Sequence, residues 1–379
     1  MNIAIVCFSS IGGSGAVGTD LGKELAKLGH KVHFIAPEVP FRLIGPWRKN
    51  IYFHTVETVT EHPLFEKYPL YPYQLANKIV EVIKREKIDI VHAHYIIPHA
   101  LSGYLAIEAV KKEFPHIKLV TTIHGTDVSL LSADPTIRDM AKLALEKSDG
   151  ITAVAEKLAQ DALSKYAISK PIKTIYNFIY PKDYPAKQAK EIRDVFANSN
   201  QQLIIHISNF REVKRIHDVI EIFKKIVKKV DVKLLMVGDG PDLRRAHSLA
   251  SKFKLLNKIH FLGLQSNVDR LLAISDLFLL PSELEAFSLA ALEAMSHAVP
   301  VITTNIGGMP EMINSGEDGY IAEVGDIETM SKIAVDLLTD SNKKKKIGSA
   351  AQMKVRKKFI PDVIVAEYEK YYNKVLKQK

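Results

Sequence analysis

Short apolar runs alternate with amphipathic stretches along this chain of 379 residues. In the first half, the apolar runs have the length and composition of buried strands, at residues 2–7, 31–36, 89–92, 118–123 and 150–154. Helical spacing of apolar residues separates them, at residues 16–28, 74–87 and 136–147. Such alternation predicts a parallel sheet with helices on both faces.

The same pattern restarts near residue 203, which predicts a second sheet of the same kind. Its strands are expected at residues 203–208, 233–238, 258–263, 277–280, 300–303 and 319–323, with helices at 215–229, 242–253, 288–297 and 326–338. A chain of this length also exceeds one ordinary domain. The predicted fold is therefore α/β, with two doubly wound, Rossmann-like domains that face each other across a cleft and bind ligands at the carboxyl ends of their strands.

The polar segment 181–200 has no apolar period and is the expected linker. It separates an N-terminal domain over residues 1–180 from a C-terminal domain over residues 201–361. A last helix at about 362–379 follows Pro361 and is expected to pack back on the N-terminal domain.

Composition narrows the class of protein. No run of 18 apolar residues is present, so no spanning helix is expected. The N-terminal residues have the character of a strand and a glycine loop rather than a signal peptide. The only cysteine, Cys7, lies in the first predicted strand and excludes an internal disulfide. These features predict a cytoplasmic enzyme.

The formal net charge of +9 suggests an anionic partner. Much of the excess lies in Lys343–Lys346 and in residues 354–358, which we interpret as a solvated helix face. No nucleic-acid-binding module is recognisable. The charge therefore agrees with small anionic ligands and gives no reason to expect a nucleic acid.

Residues Gly13 to Gly18 match the dinucleotide fingerprint G-x-G-x-x-G, and Glu38 follows at a suitable distance. Two details count against an NAD enzyme. Five residues separate the first glycine from the strand, and Glu38 lies beyond the end of the next strand, in APEVP. The loop still opens a helix, whose N–H groups suit an anion such as a diphosphate or an acceptor carboxylate.

Two carboxylates in the second half are eight residues apart, Glu285 and Glu293. On one helix they would be separated by about 12 Å, too far to bind the same group. We expect Glu285 on a loop and Glu293 two turns into a helix, so that each binds a different part of one extended ligand. The N–H groups of Phe287, Ser288 and Leu289 would face the phosphates between them. The alternative is a capped helix with two ordinary surface glutamates.

Cations and glycine turns follow other strands of the second half. Arg211 and Lys214 come just after its first strand and are suited to neutralising a diphosphate. The sequences GDGP at 238–241 and NIGGMPE at 305–311 each follow a further strand. All of these features fall at the strand ends where a nucleotide would bind.

Together, these residues resemble glycosyltransferase family 4 (GT4), a family of retaining enzymes with the GT-B fold. Its E-x7-E motif corresponds to Glu285–Glu293, and the similarity extends over nearly the whole chain. Matching segments are PFRL at 40–43, HAHY at 92–95, HGTD at 124–127, SADPTIRD at 132–139, YNFI at 176–179, SNFREVKR at 208–215 and NIGGMPE at 305–311. The chain most resembles members of the bacillithiol pathway. The resemblance implies transfer of N-acetylglucosamine from UDP-GlcNAc to the hydroxyl of L-malate, with retention and without a metal cofactor.

Roles for the donor site follow from the same resemblance. Glu293 is expected to bind the ribose hydroxyls and Glu285 the sugar hydroxyls, while Arg211 and Lys214 hold the diphosphate. His124 should contact the donor sugar near the reacting carbon, and the uracil should lie near Gly263 and Leu264. The remaining nucleotide-sugar candidates are Gly13, Ser208, Asn209, Phe287, Ser288 and Leu289.

A dianion such as malate needs cations or N–H donors. The acceptor candidates are Ser14, Gly15, Tyr95 and Thr126, with a cation from Arg138 or Lys142, and Arg42 as a further choice. Two departures from the family pattern also stand out. Ser288 replaces a usual glycine, and His297-Ala298-Val299 replaces a small-x-Gly sequence before Pro300.

The sequence leaves other functions open. His92, His94 and His99 suggest a metal, but no further ligand at proper spacing completes a site, so none is predicted. The rival functions are a GT4 enzyme with another acceptor (an inositol phosphate or a polysaccharide), a UDP-GlcNAc epimerase, an NAD-dependent oxidoreductase and a non-enzymatic nucleotide-sugar binder. A homo-oligomer is also left open.

Overall fold

The computed structural model describes residues 1–9, 12–45, 49–57 and 70–378. The chain divides into two compact units. Unit 1 consists of Met1–Asn177 and Pro361–Lys379, and unit 2 consists of Phe178–Ile360. Each unit contains one parallel sheet covered by helices, so the prediction of two Rossmann-like domains is confirmed.

Unit 1 contains a seven-stranded sheet in the order β3-β2-β1-β4-β5-β6-β7. Its strands are β1 (Asn2–Val6), β2 (Lys31–Ala36), β3 (Ile51–Thr55), β4 (Ile90–His94), β5 (Lys118–Ile123), β6 (Gly150–Ala153) and β7 (Ile172–Thr174). Its described helices are α1 (Gly13–Lys27), α2 (Tyr71–Glu86), α3 (Leu101–Val110), α4 (Thr126–Ser129), α5 (Arg138–Lys147) and α6 (Glu156–Tyr166). Because both faces of the sheet are covered, its central strands are rich in Ile, Val and Leu.

Unit 2 contains a six-stranded sheet in the order β10-β9-β8-β11-β12-β13. Its strands are β8 (Gln202–Ile207), β9 (Val232–Val237), β10 (Ile259–Phe261), β11 (Leu277–Leu280), β12 (Val301–Thr304) and β13 (Tyr320–Ala322). Its helices are α7 (Ala186–Phe196), α8 (Ile216–Ile226), α9 (Leu243–Lys252), α10 (Asp269–Leu272), α11 (Leu289–Ser296), α12 (Met309–Met312), α13 (Ile327–Thr339) and α14 (Ser341–Lys358).

In each sheet the strand order reverses next to the first strand. The reversal lies between β1 and β4 in unit 1 and between β8 and β11 in unit 2. The helices that follow the strands on either side of such a point cross to opposite faces, which leaves a crevice at the carboxyl ends. The loops after these strands are therefore the expected ligand-binding loops of each unit.

The last helix, α15 (Pro361–Leu376), belongs to unit 1. Tyr368 and Tyr372 on this helix are fully buried. The Tyr372 hydroxyl lies 2.7 Å from His92 Nδ1, and the Tyr371 hydroxyl donates to the carbonyl of Ile151. These contacts attach the C-terminal helix to β4 and β6.

The segment expected to be a linker, residues 181–200, lies within unit 2 and contains helix α7. The division between the units falls after Asn177. Arg193 of α7 donates to the carboxylate of Asp276 at 2.8 Å and to the carbonyl of Gln201. No residue of this helix is fully buried, which explains why the segment shows no apolar period.

The basic run near the C-terminus is helical, as predicted. Helix α14 carries the lysine-rich segment, and Lys345 and Lys346 are exposed. Lys344 instead forms an ion pair with Asp276 at 2.7 Å, and Lys354 pairs with Asp318. Among the residues that the structure describes, no helix is both long and apolar enough to cross a membrane.

Candidate active site

Glu285 lies at the strand-order reversal of unit 2, on the loop that follows β11. Its Oε1 accepts a hydrogen bond from Lys214 Nζ at 2.6 Å and another from the Ser282 hydroxyl at 3.1 Å. The side chains of Glu285 and Lys214 are only 10% and 17% exposed. The pair is therefore a hydrogen-bonded ion pair that is largely shielded from water. The loops after β8 and β11 thus meet in one charged pair.

A glycine turn after β12 supports the main chain of the Glu285 loop. Gly307 has a φ of +50°, and a Cβ at this position would come within 1.7 Å of the carbonyl oxygen of Glu285. The next residue, Gly308, donates its N–H to the carbonyl of Ala286 at 2.9 Å. Only glycine allows this approach without displacing the loop. The glycines of NIGGMPE therefore shape the carboxylate site.

Helix α11 begins at Leu289, one residue later than predicted. Ser288 is its N-cap, and the Ser288 hydroxyl accepts a hydrogen bond from the N–H of Ala291 at 3.2 Å. The N–H groups of Leu289 and Ala290 have no acceptor within the helix, and they point outward from its N-terminal end. Of the three residues predicted to present N–H groups here, Ser288 and Leu289 lie at the helix start, whereas Phe287 precedes the cap.

Glu293 is the fifth residue of α11, just over one turn from the helix start. The expectation of two turns is therefore corrected, because the Ser288 cap sets where the helix begins. Phe287 precedes the cap, is 4% exposed and packs against Phe359 with ring centroids 5.5 Å apart. Its side chain belongs to the core of unit 2.

The loop after β8 carries the other predicted donor residues. Arg211 is exposed, immediately before the short helical turn Glu212–Lys214. The Ser208 hydroxyl lies 2.8 Å from His206 Nε2 and accepts from the N–H of Phe210. Ser208 is therefore engaged in holding this loop, while the Arg211 side chain faces solvent.

A second close approach of glycine fixes the position of Ser208 and Asn209. A Cβ on Gly238 would come within 1.8 Å of the Ser208 carbonyl oxygen, and one on Gly240 within 2.2 Å of that of Asn209. The N–H of Gly238 also donates to the carbonyl of Gly263 at 2.8 Å. Gly263, one of the two residues predicted to lie near the uracil, therefore contacts this turn. The other, Leu264, is 59% exposed.

In unit 1, His124 follows β5 and lies beside the end of β4. Its Nε2 is 2.9 Å from Nδ1 of His94, the last residue of β4. His94 is fully buried, whereas His124 is partly exposed. Burial, together with the nearby His99, lowers the pKa of His124 to about 3. His124 is therefore neutral at pH 7 and suited to hydrogen bonding rather than to carrying charge.

Tyr95 stacks near His124 with an unusual main-chain conformation. The two rings are 6.4 Å apart and nearly parallel, and Tyr95 has a φ of +99°. A non-glycine residue with this φ is strained. Phe8, which follows β1, packs edge-on against Tyr95 at 5.2 Å. Strand ends β1, β4 and β5 thereby place aromatic side chains together.

Asp127 shapes the HGTD turn, a role that the sequence analysis did not give it. Its carboxylate accepts from the N–H of His124 at 3.1 Å and from that of Gly125 at 2.8 Å. Asp127 is fully buried, and burial raises its pKa to about 7 in spite of these hydrogen bonds. The sequence does contain a signal for this role, because Asp127 follows the strand-end residue His124 by only three positions.

The glycine loop after β1 leads into α1, which begins at Gly13 with Gly12 as N-cap. Ser14 is partly exposed and Gly15 is buried. As at every helix start, the first N–H groups here have no carbonyl partner in the helix. The N-terminus of α1 thus offers main-chain N–H donors next to β1, where the strand order of unit 1 reverses.

The remaining acceptor candidates differ in how far they are already engaged. Thr126 is the first residue of α4, and Arg138 is the first residue of α5. Arg138 is exposed, with Asp139 3.9 Å away, and Lys142 lies 3.8 Å from Glu146. Arg42 forms an ion pair with the buried Asp20 of α1. Arg42 is therefore a structural cation of unit 1.

The histidines considered for a metal are engaged with protein groups. His92 lies 2.7 Å from the Thr122 hydroxyl through Nε2, and its Nδ1 contacts Tyr372. His99 Nδ1 donates to the carbonyl of His94 at 2.7 Å. These contacts form a hydrogen-bonded core under the strand ends.

His33, His54 and Glu86 form a second cluster, in which one ligand atom of each lies within 4.8 Å of the others. Arg85 lies 2.8 Å from His54 and donates to Glu86 at 2.7 Å. The guanidinium already supplies positive charge to this cluster, so we interpret it as a hydrogen-bond and ion-pair network.

Comparison with known proteins decides the family. Residues 187–354 match the model for glycosyl transferases group 1, and residues 11–183 match that for Glycosyltransferase Family 4. The chain is 44% identical, over its full length and 98% of the relative, to a curated N-acetyl-alpha-D-glucosaminyl L-malate synthase of Bacillus anthracis. This chain belongs to glycosyltransferase family 4. It is a UDP-sugar-dependent hexosyltransferase, as predicted, and not the rival NAD-dependent oxidoreductase.

Other relatives are more distant. An uncharacterized glycosyltransferase of Methanocaldococcus jannaschii is 25% identical, with 98% of each chain covered. A glycosyltransferase structure from Rickettsia africae superposes with a TM-score of 0.82 over 100% of this chain and 99% of that one, at 24% identity. Anabaena HepE, solved with UDP and glucose, gives a TM-score of 0.85 at 19% identity, covering 98% and 99%. These similarities confirm the predicted GT-B fold.

Proposed function

We propose that this glycosyltransferase transfers N-acetylglucosamine from UDP-GlcNAc to the hydroxyl of L-malate with retention, in the cytoplasm and without a metal ion. The observation that carries the proposal is full-length identity of 44% to a relative named for this product. The product, a GlcNAc-malate, would enter bacillithiol biosynthesis. The geometry of both units supports a reaction of this chemistry.

In unit 2, the charged groups suit a nucleoside diphosphate sugar. The diphosphate would lie at the start of α11, where the N–H groups of Leu289 and Ala290 and the side chains of Arg211 and Lys214 supply donors and positive charge. Glu293, farther along α11, would accept from the ribose hydroxyls. Glu285 would accept from hydroxyls of the sugar.

Lys214 has two roles in this proposal. In the structure it pairs with Glu285, and it would also face the diphosphate of the donor. As the bond between the sugar and the diphosphate breaks, negative charge grows on the leaving oxygen. A preorganised ammonium and helix N-terminus stabilise that charge without a metal.

Unit 1 supplies groups for the acceptor and for the reacting sugar. His124, which its low pKa keeps neutral, would donate a hydrogen bond to the donor sugar through its one ring N–H. The carboxylates of malate would accept from main-chain N–H groups at the start of α1, around Ser14 and Gly15. Tyr95 and Thr126, on the loops that follow β4 and β5 of the same unit, are the further acceptor candidates. Arg138 and Lys142 are the candidate cations on α5.

The proposed step balances without a protein nucleophile. The malate hydroxyl oxygen attacks the anomeric carbon from the face that the diphosphate leaves. The bond from that carbon to the diphosphate oxygen breaks, and the departing diphosphate takes the hydroxyl proton. The products are the retained glycoside and UDP.

The test is to incubate the protein with UDP-GlcNAc and L-malate and to detect the glycoside and UDP by mass spectrometry. The expected result is a product with the mass of GlcNAc-malate and an equal amount of UDP. Parallel reactions with an inositol phosphate and with D-malate measure acceptor selectivity. Simple hydrolysis of UDP-GlcNAc that malate does not accelerate would contradict the proposed acceptor.

A further inference from the structure

We infer that His94 is a positioning residue, which orients His124 and keeps the hydrogen of His124 on Nδ1. His94 would not touch the substrate. It would decide which nitrogen of His124 is the donor. The inference deepens the proposed function, and it rests on that function only for the role of His124 at the donor sugar.

The two rings meet at the ends of neighbouring strands. His94 ends β4, its main chain pairs with Thr122 of β5, and His124 follows β5 directly. The Nδ1 of His94 and the Nε2 of His124 are 2.9 Å apart, with ring centroids at 5.1 Å. This is a hydrogen bond between two imidazoles, so exactly one of these two nitrogens carries the shared hydrogen.

Both rings are neutral at pH 7. Burial lowers the pKa of His94 well below its usual value, and it lowers that of His124 to about 3. Each neutral ring carries one hydrogen, on one of its two nitrogens. Two arrangements are therefore possible, and they differ in which ring donates.

The second nitrogen of His94 decides between them. Its Nε2 is buried and has no hydrogen-bond partner among the described residues. If His94 carried its hydrogen on Nε2, a buried N–H would have no acceptor, which is rarer in proteins than an acceptor without a donor. The favoured arrangement places the hydrogen of His94 on Nδ1, from which it donates to His124 Nε2. His124 must then carry its own hydrogen on Nδ1.

The surroundings hold the His94 ring in place. A Cβ on Gly18 of α1 would lie 3.0 Å from Cδ2 of His94, so the helix packs directly on the ring. His99 Nδ1 donates to the carbonyl of His94, and the His92 ring lies 4.3 Å away. A ring that is clamped in this way orients His124, the more exposed partner.

The consequence is a fixed donor at the partly exposed end of the pair. With Nε2 of His124 accepting from His94, its Nδ1–H is left to donate to an oxygen of the bound sugar or of the leaving group. Because the pKa of His124 is about 3, this group gives a hydrogen bond and does not transfer a proton at pH 7.

The direct test uses NMR of the protein labelled with 15N-histidine. Two-bond nitrogen–proton spectra distinguish the two neutral tautomers, and the His124 signals are identified by their loss in His124→Asn. We expect His124 with its hydrogen on Nδ1 in wild type. A His124 with its hydrogen on Nε2 would overturn the inference, whatever reaction the enzyme catalyses.

A pair of variants tests the consequence for turnover. His94→Asn keeps an N–H near the position of Nδ1, whereas His94→Leu has similar bulk and no donor. We expect His94→Leu to lower kcat about 100-fold and His94→Asn less than about 5-fold, with UDP affinity unchanged in both. His116→Asn, at an exposed position of the same unit, should match wild type in both kcat and UDP affinity.

The outcomes separate the inference from the proposed function. Equal loss in both His94 variants, with melting temperatures equal to wild type, would contradict positioning by a donor. If wild type makes no GlcNAc-malate, the proposed function fails, and the tautomer measurement still decides the inference. If His94→Leu does not fold, the tautomer of His124 in His94→Asn decides it, because Nδ1–H should persist there.

Discussion

The residues at the strand-order reversals of the two units differ in their electrostatics. In unit 2, Glu285 and Lys214 form an ion pair that keeps limited contact with water. In unit 1, His94 and His124 are neutral because burial disfavours their charged forms. A diphosphate leaving group needs positive charge nearby, whereas a sugar hydroxyl needs only an oriented donor. The difference agrees with the proposed function, in which unit 2 holds the diphosphate and unit 1 supplies a hydrogen-bond donor to the sugar.

The units also differ in how they hold their site residues. In unit 2, the Glu285 loop is held by main-chain contact with a glycine turn. In unit 1, side chains such as Asp127 and His99 fix the turn by hydrogen bonds. A substitution that adds bulk should therefore be most harmful in unit 2, and a change of pH should act mainly through unit 1.

The largest effect is expected for Gly307→Ala. The new Cβ would meet the Glu285 carbonyl at 1.7 Å, so the carboxylate loop must move. We expect a loss of about 3 kcal/mol in the free energy of unfolding and a fall of about 100-fold in turnover. Denaturant unfolding and the glycoside assay measure both.

Gly316→Ala is the matched control, because Gly316 has a φ of +85° and open space where a Cβ would lie. It should cost only about 1–2 kcal/mol from the left-handed main chain and leave turnover unchanged. Equal effects of the two substitutions would show that φ, and not contact with Glu285, accounts for the loss.

The next effect concerns the charged pair of unit 2. Glu285→Gln removes the charge that pairs with Lys214, and we expect turnover to fall about 100-fold and stability by about 2 kcal/mol. Glu283→Gln, on the same loop and 41% exposed, should cost under about 1 kcal/mol and leave turnover intact. Comparable turnover in the two variants would remove Glu285 from the proposed site.

A change of pH should act on unit 1 through Asp127. Burial raises its pKa from 3.8 to about 7, so between these values the folded chain holds a proton that the unfolded chain has lost. Its contribution to stability therefore increases as pH falls from 8 to 6, by about 1 kcal/mol. Asp127→Asn cannot titrate and should lack this gain.

Thermal melting of wild type and Asp127→Asn at several pH values measures the difference, since all other titrating groups are shared. A difference in melting temperature between the two proteins that stays constant from pH 8 to pH 6 would show that Asp127 is ionised throughout this range. In that case the hydrogen bonds from His124 and Gly125 would outweigh its burial.

The smallest effect is expected for Ala→Gly substitutions at two helix ends, one in each unit, where an alanine has a left-handed main chain. Ala298 follows α11 with a φ of +57°, and Ala167 follows α6 with a φ of +49°. Glycine suits such a position better. We expect Ala298→Gly and Ala167→Gly each to stabilise the protein by about 0.5–1 kcal/mol with no change in turnover. A change in turnover for Ala298→Gly alone would show that this residue controls the helix of Glu293.

Much of the fold was predictable, because buried parallel strands have continuous apolar sequences. The prediction missed the edge strands β3 and β7. Strand β3, IYFHT, is largely half-exposed, and none of the three residues of β7 is buried. Helix α7 was interpreted as linker because none of its residues is fully buried. Elements that bury little surface leave a weak sequence pattern.

Part of the site was also predictable. The eight-residue spacing placed Glu285 on a loop and Glu293 in a helix, as the structure has them. The pairing of Lys214 with Glu285 joins residues 71 positions apart, and no local pattern signals it. The same holds for Ser282, which donates to Glu285, and for the contact between His94 and His124. The roles of these residues in catalysis stay predictions.

The most direct test of the division between the two units is UDP affinity measured beside turnover, for Glu293→Ala and His124→Ala. Isothermal titration of each variant with UDP gives the Kd, and the glycoside assay gives kcat. We predict that Glu293→Ala weakens UDP binding at least about tenfold, whereas His124→Ala binds UDP like wild type and loses about 100-fold in kcat. Equal loss of UDP affinity in both variants would contradict the account.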